Sequence, residues 1–264
     1  MPLDNRFALL IDADNVAPKF ISSIMDELST DGTITYKRIY GDWTRPDLGQ
    51  WKKVLLDYSI NPVQQYSYTS GKNATDSAMI IDAMDILYTG SVEGFCIVSS
   101  DSDFTRLASR LREAGKYVIG MGEKKTPKPF IAACDKFKYL EVIASAGSAA
   151  GRTEEVPAVN GSAAAAADSA HTEHSDAGHA QTSMKVIRKA IIAIVDEISD
   201  DEGWAPLSHI GNILLKRFPD FDVRNYGFLK LTGMMKSCNC FEMNIVRSKD
   251  GNKQVYVRNR DDIR

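Results

Sequence analysis

Long apolar runs are missing from this chain of 264 residues. No stretch approaches the about 20 consecutive apolar residues that a bilayer-spanning helix needs, so no membrane segment is expected. The N-terminus lacks a basic segment followed by an apolar core, and no secretory leader is expected either. Cysteine is scarce, with four in all. Cys96 falls inside an apolar run, where it serves as a small hydrophobe. Cys238 and Cys240 stand too close for an easy disulfide and have no second pair with which to hold zinc. The expected setting is therefore reducing and cytoplasmic. A surplus of charge of one sign is lacking too. The formal net charge is −3, which by itself predicts no affinity for nucleic acid. The distribution is less even than the total. Residues 183–264 carry 14 basic against 11 acidic side chains, 146–182 carry 1 against 5, and 1–145 carry 17 against 19.

Carboxylates at the ends of apolar runs are what the sequence does have. Phe7-Ala-Leu-Leu-Ile11 is continuously apolar and leads straight into Asp12-Ala-Asp14-Asn15. Such a run reads as a strand buried on both faces, as in parallel sheets, and open α/β sheets bind ligands beyond the C-terminal ends of their strands. Asp14 or Asn15 alone would be satisfied as an Asx turn or a helix cap before Pro18. The same design returns at Phe95-Cys-Ile-Val98, which runs through Ser99-Ser100 into Asp101-Ser-Asp103. If the two strands are neighbours at a topological switch point, their carboxylates converge. Crowded carboxylates repel unless a cation or a hydrogen-bond donor sits between them, and a hard divalent ion with oxygen ligands, Mg²⁺ or Mn²⁺, suits such a set.

Residues 1–143 alternate strands and helices, which predicts an α/β fold with a doubly wound parallel sheet. Strands are expected at Ile34–Tyr40, Val63–Tyr66, Tyr117–Gly120 and Phe137–Val142, besides those at Phe7–Ile11 and Phe95–Val98. Helices are expected at Pro18–Leu28, Asp47–Tyr58, from Asp76 to Tyr88 and at Phe104–Ala114, with Gly115 closing the last. Phe130–Cys134 reads as a helical turn. Lys124, Lys125 and Lys128 make the loop before it basic. Asp82 and Asp85 fall off the Asp76 face of their helix and read as surface charges. Residues 144–182, rich in Ala, Gly, Ser and acid, read as a disordered linker. His171, His174 and His179 within it have no scaffold to orient them on a metal.

Order returns in residues 183–264. Val186, Ala190, Ile191, Ile194, Val195 and Ile198 trace an amphipathic helix. Further helices are expected at Ser208–Arg217 and Val223–Met235, the latter with Tyr226, Phe228, Leu229 and Leu231 partly inward. Phe241–Val246 and Gln254–Val257 flank Lys249-Asp-Gly-Asn252 as a hairpin. Three helices and a two-stranded wing make a small winged helix-turn-helix domain.

Three motifs of the first segment resemble the NYN domain, a branch of the PIN-like nuclease superfamily. They are Asp12-x-x-Asn15, Lys72-x-x-x-Asp76 with its helix through Asp85, and Val98-Ser-Ser-Asp101-Ser-Asp103-Phe104. Ala13 stands where that family usually has Gly. The resemblance implies a metal-dependent ribonuclease that acts on RNA. It makes Asp12, Asp76 and Asp101 the principal ligands of Mg²⁺ or Mn²⁺, with Asp103 completing the site and Asn15 orienting a ligand or phosphate. Lys72 is a candidate phosphate contact, and Tyr66 and Tyr68 offer stacking faces for single-stranded bases. A solvated loop is the plainer reading of those three. The second segment resembles the LOTUS or OST-HTH domain. That resemblance rests on Gly203-Trp204, Leu207, Phe218-Pro-x-Phe221 and Tyr226-Gly-Phe-x-Lys230-Leu231. It implies RNA binding, or protein docking as in some members. Arg217, Arg224, Lys230 and Lys236 are the candidate phosphate contacts, against an ordinary solvated helix face. Trp204, Phe221 and Tyr226 read as core.

Two other functions compete with the RNA nuclease. One is a PIN-like body with a silent site that only binds RNA or protein. The other is a haloacid-dehalogenase-type phosphatase, prompted by Asp12-x-Asp14, which leaves Lys72 on the wrong kind of element and gives the Asp76 helix no role. Single-stranded DNA as an additional ligand and a homodimer stay open.

Overall fold

The computed structural model describes residues 5–66, 74–150, 181–247 and 253–260, with backbone alone for 147–150. The predicted turn at residues 248–252, most of the Ala/Gly/Ser-rich segment, Lys72 and Tyr68 lie outside the described residues.

Six strands form one sheet: β1 (Arg6–Asp12), β2 (Thr33–Gly41), β3 (Asn61–Gln64), β4 (Gly94–Val98), β5 (Tyr117–Gly122) and β6 (Lys136–Tyr139). Their order is β3-β2-β1-β4-β5-β6, and every pairing is parallel. Strand order therefore reverses direction between β1 and β4, which are hydrogen-bonded neighbours from Phe7–Gly94 to Ile11–Val98. This is the crevice where open α/β sheets take their ligands.

The continuous apolar run of β1 is explained by what covers it. Alternate side chains point to opposite faces. Ala8 and Leu10 join one core with Met79, Ile86, Phe104, Leu107 and Phe130. Phe7, Leu9 and Ile11 join a second core with Ile24, Leu28, Trp51 and Leu140. On the first face lie α3 (Ala74–Thr89), α4 (Thr105–Glu113) and α5 (Lys128–Ala133). On the second lie α1 (Ile21–Ser29), α2 (Trp51–Asp57) and α6 (Leu140–Ala150). Each fully buried Leu or Ile contributes about 1.5–3 kcal/mol, so polar residues inside β1 would undo both layers.

Three expectations for this part are corrected. The last strand ends at Tyr139 and not at Val142, because Leu140 and Ile143, three apart, bury against α1 as a helix face. That helix, α6, continues to Ala150, so residues 144–150 are helix and not the start of the expected disordered linker. Asp82 is not a surface charge: it accepts hydrogen bonds from the Arg38 guanidinium and the Tyr40 hydroxyl of β2.

The remaining elements are α7 (Met184–Ile198), β7 (Ala205–Pro206), α8 (Leu207–Arg217), α9 (Leu231–Ser237), β8 (Phe241–Arg247) and β9 (Lys253–Asn259). β9 pairs antiparallel with both β8 and the short β7. They enclose a third core of Ile187, Ile191, Ile210, Leu214, Phe221, Met235 and Val257, as a winged helix does. Ile187, not Val186, faces that core; Val186 is exposed. The single helix expected over Val223–Met235 is two pieces. A 3-10 turn at Val223–Tyr226, capped by Asp222, stops at Gly227 with φ 80°, and α9 starts afresh. Leu229, in the gap, is 90% exposed and not inward.

The two parts touch. Arg224 donates both terminal nitrogens to the two Glu27 oxygens at 3.0 and 2.7 Å. Glu27 and Asp31 also hold the buried Lys138 of β6, at 2.8 and 2.9 Å. The Phe137 amide on the open edge of β6 donates to the Pro219 carbonyl at 2.7 Å. The Tyr139 hydroxyl donates to Asp220, which accepts from Thr182 as well. Burial works to raise the Glu27 carboxyl, but Arg224 and Lys138 prevail and hold it at about 2. No described helix is long and apolar enough to cross a membrane.

Candidate metal centre

Three elements meet at the switch point. β1 ends on Asp12, the loop after β4 carries Asp101 and Asp103, and the first turn of α3 carries Asp76. Ligand oxygens of Asp76, Asp101 and Asp103 lie within 4.8 Å of one another. An all-carboxylate set of this kind suits a hard divalent cation.

Asp12 lies beside this trio and is fully buried. Its Oδ1 accepts from the Asp14 amide at 3.0 Å. Its Oδ2 accepts from the Asn15 side-chain amide at 2.7 Å and the Ser99 hydroxyl at 2.8 Å. Asn15 therefore orients Asp12. Burial raises the Asp12 carboxyl above its ordinary value, against these three hydrogen bonds. Burial together with the charges of Asp12, Asp101, Asp103 and Asp14 pushes Asp76 up to about 6. Without a cation the site is crowded with like charge, and that crowding is the sign that the residues fit one.

The local sequence explains how the carboxylates are held. Asp101 caps the 3-10 turn at Ser102–Phe104 by accepting from the Asp103 amide at 2.9 Å. Phe104, buried under α4, fixes that turn to the core. Ser99 links the two strand ends: its hydroxyl accepts from the Asp101 amide at 3.1 Å while donating to Asp12.

Ser99 is not among the candidate residues of the sequence, although its place between an apolar run and Asp101 is the signal that marks it. Arg45 was missed as well. It pairs with Asp14 at 2.6 Å and Asp47 at 2.5 Å, so Asp14 is drawn to the loop after β2. Nothing in the spacing announces that pair.

The candidate RNA contacts are scattered. Tyr66 is 53% exposed just beyond β3, at the same end of the sheet as the carboxylates. Arg217 pairs with Glu197 at 2.6 Å. Arg224 is not an open phosphate contact, because Glu27 and Asp222 occupy its guanidinium. Lys230 and Lys236 are exposed at the two ends of α9. Phe221 is core, as expected; Trp204 is half-buried, with the Arg258 guanidinium 4.8 Å from its ring centroid.

Comparison with known proteins agrees with this reading. The NYN domain family model matches residues 6–141 and the OST-HTH/LOTUS domain model residues 182–252. An uncharacterised protein of Methanocaldococcus jannaschii is 28% identical over 123 residues, 45% of this chain and 48% of that protein. The chain thus spans about half the length of the curated relative it matches. A Vibrio parahaemolyticus protein of unknown function aligns over 52% of this chain and 93% of its own, at 18% identity and a TM-score of 0.44. An uncharacterised Nitrosomonas europaea protein aligns over 40% of this chain and 92% of its own, at 30% identity and a TM-score of 0.26. By the match that spans its whole parallel sheet, the chain belongs to the NYN domain family, with an OST-HTH/LOTUS domain following in the same polypeptide.

Proposed function

We propose that the protein is a ribonuclease that hydrolyses RNA phosphodiester bonds with Mg²⁺ or Mn²⁺ held by Asp76, Asp101 and Asp103. The gathering of those three carboxylates at the strand-order reversal of an NYN domain carries the reading. Such an ion supplies a Lewis acid for a phosphate oxygen and lowers the pKa of a bound water.

The chain's own residues supply position and charge. Asp12 sits beside the trio with its buried carboxyl kept in one orientation by Asn15, Ser99 and the Asp14 amide. Ser99 ties the Asp101 backbone to that anchor. Tyr66 stands at the same end of the sheet as a stacking face for an unpaired base. Lys72 and Tyr68 remain candidate contacts on the segment before α3, and the OST-HTH/LOTUS domain holds substrate. A phosphatase using Asp12 as nucleophile is disfavoured, since that carboxylate is buried with three donors upon it and Asp14 is paired to Arg45.

Purified protein incubated with single- and double-stranded RNA and DNA, with and without Mg²⁺ or Mn²⁺, is the direct test. Metal-dependent RNA cleavage is expected. Asp101→Asn is expected to abolish it while RNA binding persists. Absence of cleavage of every substrate with either metal would leave a binding protein with a silent site.

A further inference from the structure

We propose that the cleft closed between the docked winged helix and the β5–β6 side of the sheet is a second RNA site, taking the phosphate backbone of a single strand. This rests on the reading that the protein acts on RNA, and it places a contact far from the acidic crevice. The cleft holds about 790 Å³ and draws its walls from both domains. Arg112 and Lys136 stand on one side, Lys216 and Arg217 of α8 on the other, and Asp135 is the one carboxylate in its lining. Lys116 lines an adjoining cleft that shares Arg112, Tyr117 and Asp135 and also carries Glu113.

Three of these cations already have partners. Arg112 pairs with Asp135 at 2.9 Å, Arg217 with Glu197 at 2.6 Å and Lys136 with Asp31 at 2.8 Å. The first two pairs are solvent-exposed at their arginines, and exposed pairs are worth only about 0–1 kcal/mol. A phosphate can take over the Arg217 fork, since guanidinium binds phosphate as it binds carboxylate; Arg112 is held in the wall by the Ala132 and Ala133 carbonyls as well. Lys216 is exposed and makes no ion pair among the described residues. Tyr117, 44% exposed, presents a ring braced edge-on against Phe7 at 6.5 Å. Asn212 of α8 adds an amide to the lining. Cations on both walls around a fixed aromatic face are what a single nucleic-acid strand needs. An acidic peptide would use the cations and leave the ring without a role.

Position gives the cleft its use. Tyr117 and Lys136 begin β5 and β6, whereas the carboxylates stand beyond the opposite ends of parallel strands. One strand length of six residues is about 20 Å, so RNA in the cleft is held at that remove from the crevice. Docking of the winged helix through Arg224, Glu27 and the Phe137–Pro219 hydrogen bond creates the second wall.

The test is the binding of labelled single-stranded RNA to the full chain in EDTA, followed by fluorescence anisotropy across a salt series. Lys216→Glu is expected to weaken binding about tenfold and to lower the slope of log affinity against log salt by about one to two. Asn212→Asp is expected to weaken it in the same direction. Lys53→Glu, an equal charge change on exposed α2 at the other side of the sheet, is expected to match the wild type. RNA binding by Lys216→Glu and Asn212→Asp equal to the wild type would overturn the cleft while leaving the RNA reading in place. Competition by poly-glutamate as effective as by RNA would overturn it in favour of an acidic protein ligand. A wild type that binds no RNA would overturn the cleft and the parent reading together.

Discussion

Asp76 is the member of the acidic trio at which charge is costly. Partial burial and four neighbouring carboxylates push it up to about 6. Asp76→Asn removes one member of that repulsion without changing shape. The metal-free variant is therefore expected to melt higher than the wild type. The gain is of order 1 kcal/mol after allowing for solvent screening, or about 2–4 °C. The same variant is expected to lose most of the rise in Tm that Mg²⁺ gives the wild type. Thermal melts with and without metal check both. The carboxylates were legible in the sequence because Asp at the end of a fully apolar run has no packing role. Their division of labour was not. Asp12, expected among the principal ligands, lies outside the trio of ligand oxygens, and Asp103 lies inside it. Which of them cluster depends on contacts between separate elements, such as Ser99 to Asp12, which spacing does not encode.

Among the elements, α3 matters most to the site, because it carries Asp76 on its first turn. Two turns on, Asp82 fastens it to β2 through Arg38 and Tyr40. Burial, followed by Asp82, raises the Tyr40 hydroxyl well above its ordinary value, so it stays a donor. Asp82→Ala is expected to cost about 1–3 kcal/mol by stranding that hydroxyl and the half-buried guanidinium, measurable by denaturant unfolding. Asp82 reads as a surface charge on helical periodicity alone because its partners are more than 40 residues away. Gly227 sets another element boundary. At φ 80° it separates the Val223–Tyr226 turn from α9. Gly227→Ala is expected to destabilise the winged helix by about 1–2 kcal/mol, read by the same unfolding experiment, because a side chain is strained there. In the sequence, one apolar periodicity runs through both pieces and conceals the break.

At the scale of the whole molecule, the contact between domains joins an ion-pair network to the Phe137–Pro219 and Tyr139–Asp220 hydrogen bonds. Arg224, Glu27, Asp31 and Lys138 form one half-buried network, with Glu27 bonded to both Arg224 and Lys138. Its carboxyl is held at about 2 in the folded protein against an ordinary 4.5. A depressed carboxyl contributes stability that is complete above the unfolded value and disappears as pH falls through the folded one. Glu27→Gln is thus expected to melt about 2–4 °C below the wild type at neutral pH. The difference should persist down to about pH 4.5 and vanish towards about pH 2. Melting curves of the two proteins across that range decide it.

The sequence by itself determined the local facts. Unbroken apolar runs in β1 and β4 required cover on both faces, hence a parallel sheet with helices on each side. Asp at the ends of those runs marked the crevice, and the aromatic and glycine pattern of the last third marked the winged helix. Only the tertiary structure decided which distant groups would meet. It paired Asp14 with Arg45, Asp82 with Arg38 and Tyr40, and Arg224 with Glu27, taking Arg224 out of the set of open cations. The physical reason is range. Burial and periodicity are set by neighbours along the chain, whereas an ion pair depends on where separate elements come to rest.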